Sequence, residues 1–71
     1  MFLTQLQQPR ARVRALVAWR EAADLVWRRW TVYLAVEPEA RTFAFASYIA
    51  ALDAEEAAAA DIAALAGRVA A

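Results

Sequence analysis

At 71 residues and a formal net charge of zero, the chain has room for one small domain. It contains no Cys and no His, which excludes disulfide staples, thiolate or imidazole metal sites and histidine acid–base chemistry. Hydrophobic residues make up 63% of it, but much of that is Ala, which buries little area. A chain of this size gains at most about 3–5 kcal/mol from its own core, so association with itself or with another protein is the expected source of further stability.

The first eight residues carry apolar Phe2, Leu3 and Leu6 among polar neighbours. No basic residue precedes them and no small-residue cleavage pattern follows, so a targeting segment is not expected. Because Pro9 comes next, residues 1–8 are expected to form a flexible arm, either disordered or covering an apolar groove. Pro9 suits a first helical turn, where its missing N–H costs nothing, and a long helix is expected from Pro9 or Arg10 to Val36. Leu16, Trp19, Ala23, Val26, Trp30 and Tyr33 recur in steps of three and four, the pattern of a helix packed along its length. Arg10, Arg14, Glu21, Asp24 and Arg28 lie opposite and should be wet. Trp27 and Leu34 sit on one shoulder of the seam, and Leu25, Val32 and Val36 on the other. That arc is wider than one partner helix requires.

A second helix is expected to open near Pro38, where Glu37 and Glu39 favour a helix N-terminus. Its expected seam is Phe45, Tyr48, Ile49, Leu52, Ala59, Ile62 or Ala63, and Ala66, with Gly67 as a C-terminal stop and residues 68–71 as a frayed tail. Asp53 with Glu56 resembles a capping box that would begin a third helix. The absence of Gly and Pro there, and the alanines at 57–60, favour one continuous helix over 38–66.

The predicted fold is therefore all-α: an antiparallel helical hairpin over residues 9–67 that completes a four-helix bundle by dimerisation. If the chain reverses at Pro38, facing residue numbers sum to about 75, which sets Trp30 against Phe45 and Trp27 against Tyr48. Candidate core residues are Leu16, Trp19, Val26, Trp30, Tyr33, Phe45, Ile49 and Leu52. Candidates for the surface facing a partner are Trp27, Phe43 and Tyr48, with Ala59 and Ala63 at the Ala-rich end, where helices can approach closely.

Residues 1–36 hold six Arg and two acidic residues, while residues 37–71 hold two Arg and six acidic residues. The same register would bring Arg14 to Asp61 and Arg20 to Asp53, Glu55 and Glu56, neutralising one half with the other. For catalysis the chain offers Ser47, Thr4, Thr31, Thr42 and two tyrosines without a recognisable base, and Gly67 is its only glycine, so it has no phosphate loop. The carboxylates Glu55, Glu56 and Asp61 on an Ala-rich helix read as a solvated face. The expected function is a non-catalytic interaction or oligomerisation module without a cofactor, located in the cytoplasm, whose partner is a second copy or a helix of another protein.

Two other readings compete with it. Arg10, Arg12, Arg14, Arg28 and Arg29 suit phosphate and raise nucleic-acid binding, but position 12 points away from 10 and 14 on a helix and the overall charge is balanced. Tryptophans, arginines and a wide apolar arc also occur in helices that lie on membrane surfaces. The longest apolar stretches, 30–36 and 43–52, fall short of the roughly 18–20 residues needed to span a bilayer.

Overall fold

The computed structural model describes the backbone of residues 2–70 and the side chains of residues 9–67. Two helices, α1 (Phe2–Ala35) and α2 (Arg41–Ala70), pack antiparallel as a rod of 56 × 17 × 13 Å. Ala, Arg and Leu are the commonest residues of α1 and Ala by far the commonest of α2, and no glycine precedes position 67, so helix propensity is high throughout.

The helix geometry of α1 extends back through Pro9 to Phe2, seven residues before the start expected from the sequence. Pro9 therefore lies inside α1, where it removes one backbone bond and crowds the preceding turn, while residues 2–8 contain no glycine. The mobility expected of residues 1–8 and 68–71 lies outside the described residues.

Between the helices the chain turns within a few residues. The Val36 N–H still donates to the Val32 carbonyl at 3.0 Å. Glu37 is extended, at φ −63° and ψ 153°, as the residue before a proline prefers. Pro38–Ala40 then form one short 3-10 turn, in which the Ala40 N–H donates to Glu37 O at 3.0 Å and the Arg41 N–H donates to Pro38 O. Glu37 makes no side-chain cap, but Glu39 sits in the first turn, where a carboxylate favours the helix dipole.

The second helix is uninterrupted at Asp53, so the three-helix alternative does not form. The uncapped interior bonds of an Ala-rich segment outweigh the local capping pattern. Gly67 likewise does not stop α2: it has no positive φ and lies within the helix.

The register differs from the expected one. Trp30 meets Tyr48 and Tyr33 meets Phe45, so facing numbers sum to about 78. The 3-10 turn after Pro38 belongs to the reversal and moves its centre to Glu39. That shift of three residues separates the charges that the sequence appeared to match. In the observed register Arg14 lies level with Ala64 and Arg20 with Ala58, and no ion pair links the helices among the described residues.

Along α2 the residues turned toward α1 are Ala44, Tyr48, Ala51, Glu55, Ala58, Ile62 and Leu65, alternating in steps of four and three. Across from them lie Ala15, Trp19, Ala22, Val26, Trp30 and Tyr33 of α1. Only Ala44 and Ala51 are buried among the described residues. Along this line Ala44, Ala51 and Ala58 of α2 and Ala15 and Ala22 of α1 alternate with larger side chains, and further apolar residues flank it. This displaces part of the expected core: Leu16, Phe45 and Ile49 are exposed in the single chain, whereas Trp19, Val26, Trp30, Tyr33 and Leu52 are half-buried. Two adjacent apolar rows run along α2, and the expected seam mixed them: Tyr48 and Ile62 belong to the contact row, Phe45, Ile49, Leu52, Ala59 and Ala66 to the rows beside it.

Candidate interaction face

At the closed end four rings form a continuous cluster. Trp30 lies 5.5 Å from Tyr33 with planes 29° apart and 5.1 Å from Tyr48 at 47°. Phe45 lies 5.5 Å from Tyr33 and 6.2 Å from Tyr48, tilted by 56° and 45°. Such offset and tilted pairs contribute about 0.5–1.5 kcal/mol each beyond the area they bury. The cluster ties α1 to α2 beside the turn.

Trp27 stays outside it. Its side chain is 69% exposed and borders a shallow cleft formed with Ala23, Val26, Trp30 and Tyr48. One turn later the Thr31 hydroxyl donates to the Trp27 carbonyl at 2.9 Å, which satisfies a polar β-branched residue in mid-helix. Toward the open end, Leu16 and Ala66 line one apolar cleft with Ala15, Ile62, Leu65 and the stem of Arg12. Because Leu16 shares this cleft with Ala66, and Trp30 and Phe45 each reach across to the other helix, the rows flanking the seam emerge on the same side of the hairpin.

That side is a two-helix apolar face. Its inner rows are Leu16, Ala23 and Trp30 on α1 and Phe45, Leu52, Ala59 and Ala66 on α2. Its outer rows are Val13, Arg20, Trp27 and Leu34 on α1 and Ile49, Glu56 and Ala63 on α2. Every row repeats at seven residues, the spacing that keeps a stripe facing a partner helix along its length. Of the candidate partner-facing residues, Trp27, Ala59 and Ala63 belong to this face. Tyr48 is half-buried behind it, in the ring cluster. Phe43, although 84% exposed, precedes Ala44 and so lies on the opposite flank from Phe45. The signal for the two-row face was already present in the seven-residue spacing of 13, 20, 27 and 34.

The charged side chains are dispersed. Arg12 borders the open-end cleft, while Arg10 and Arg14 border a separate surface patch with Pro9 and Val13. Arg28 and Arg29 are exposed on α1 two turns or more beyond Arg20 and do not join the first three into one stripe. Among the described residues no three acidic side chains converge on a point, and no helix is long and apolar enough to cross a membrane.

Surface area gives the face a scale. The chain exposes 5725 Å², whereas a compact monomer of its size exposes about 4,400 Å². The excess of about 1,300 Å² exceeds the roughly 800 Å² that each partner contributes to a standard protein interface. Compared with models of known protein families, with curated proteins and with solved structures, the chain matches none.

Proposed function

We propose that the chain is a non-catalytic oligomerisation module whose hairpin self-associates into a four-helix bundle and thereby serves assembly. The observation that carries this reading is the mismatch between core and face. Two small alanines are the only buried residues described, while Leu16, Trp27, Leu34, Phe45 and Ile49 are exposed. A two-helix rod has one line of contact and cannot enclose a core; a second pair of helices laid on its apolar face supplies the missing layer. Area excess and seven-residue spacing support the same arrangement.

Sedimentation equilibrium of the full chain over a wide concentration range, with helicity followed by circular dichroism, tests it. A helical dimer that dissociates with loss of helicity on dilution is the expected result. A chain that is monomeric and fully helical at every concentration would overturn the reading.

A further inference from the structure

We propose that the occupant of the apolar face is a second copy of this chain with its turn at the same end, so that the two-fold axis runs along the bundle and Arg20 of each copy meets Glu56 of the other. This rests on the self-association reading above and adds the direction of the subunits.

Each outer row contains one charge, Arg20 on α1 and Glu56 on α2, and both are exposed on the face that has to be covered. Neither forms an ion pair within the chain among the described residues. In the observed register Glu56 lies level with Ala22, hence two residues, or about 3 Å, along the rod from Arg20.

A two-hairpin bundle with two-fold symmetry has two ways to close face to face. With the axis along the rod, every residue keeps its level and α1 of one copy lies antiparallel on α2 of the other. The outer rows then meet in matched order: Val13 with Ala63, Arg20 with Glu56, and Trp27 with Ile49. Each pair carries the same small axial offset, so one placement satisfies all of them. Two opposite charges meet twice, at the edge of the interface where water still reaches them.

With the axis across the rod, the turns lie at opposite ends and α2 must lie reversed upon itself. The outer row Ile49, Glu56, Ala63 is centred on Glu56, which falls on the axis against its own copy, carboxylate against carboxylate. Sliding the copies by one repeat of seven residues relieves the clash but removes about 10 Å of overlap and sets Glu56 against apolar Ile49 or Ala63. Like charges set against each other, or a charge set against apolar side chains with no opposite charge in reach, select against this arrangement. The exposed area in excess of a compact monomer, about 1,300 Å² per copy, is larger than the roughly 800 Å² that each partner contributes to a standard interface.

The absence of cysteine in the sequence allows a clean test. Glu37→Cys in the exposed turn, labelled with a nitroxide, gives one spin per chain, and dipolar spectroscopy then reads the distance between the two turns. The same-end dimer is expected to give about 30 Å or less, from helix spacings and label length, and the opposite-end dimer about 45 Å. In parallel, Glu56→Gln should raise the dimer dissociation constant about tenfold, because it leaves Arg20 of the other copy without a partner. Arg20→Glu should weaken the dimer further, and combining it with Glu56→Arg should restore affinity to within about threefold of the parent. A stable dimer with the long distance, or one that Glu56→Gln tightens, overturns the same-end arrangement and leaves self-association standing. A chain that remains monomeric overturns both.

Discussion

Trp27 and Trp30 are three residues apart on the same helix and have different tasks. Trp30 is held by rings of both helices, within 5.5 Å of Tyr33 and 5.1 Å of Tyr48, whereas Trp27 reaches outward with most of its surface in solvent. Truncating Trp30 opens a hole in the ring cluster that joins the helices beside the turn. Trp30→Ala is expected to cost about 3–5 kcal/mol, comparable to the whole stability of a chain this short, so helicity by circular dichroism should collapse even at high protein concentration. Trp27→Ala removes contact area from the face and leaves the cluster intact. Its expected effect is a weaker dimer, seen in sedimentation, with parent helicity retained where the dimer is populated. Equal loss of helicity in both variants would contradict that division.

At the scale of the helices, stability depends on how closely α1 and α2 approach. Ala51 is 3% exposed at the seam, so Ala51→Leu should overpack it and destabilise by about 1–3 kcal/mol, lowering the midpoint of urea unfolding despite the gain in hydrophobicity. Gly67 is the opposite case. It is helical, and a Cβ built there meets nothing within 4 Å. Gly67→Ala is expected to stabilise by about 0.5–1 kcal/mol, a thermal shift of a few degrees, with no change in association. Two long helices and their reversal near Pro38 were legible because Pro placement and apolar steps of three and four leave few alternatives. The seam on α2 was harder to read. Phe45, Ile49, Leu52 and Ala59 form as regular a row as Ala44, Tyr48, Ala51 and Ala58, and hydrophobicity favours the former. What decides between them is the distance between helix axes, a property of the pair that neither helix's periodicity contains. The expected ion pairs of Arg14 and Arg20 failed for a related reason: three residues gained in the turn rotate and slide every cross-helix neighbour.

For the molecule as a whole, the ring cluster lies beside the turn, and this has a consequence for the order in which the rod forms. Tyr33 and Phe45 are separated by a short stretch of chain, so joining them costs little loop entropy, and every later contact toward Pro9 and Gly67 closes against an already paired segment. Folding by such a zipper is expected to be fast, in the range of helical proteins rich in local contacts. Opening should run in reverse. Native-state hydrogen exchange is expected to show the slowest amides around Trp30 and Tyr48 and progressively faster ones toward the Ala-rich end, where side chains are small and pairing spans the longest separations. Uniform protection along both helices would mean that the rod opens as a single unit. A graded profile would instead make the open end a region that unzips and recloses while the rings hold the two helices together beside the turn.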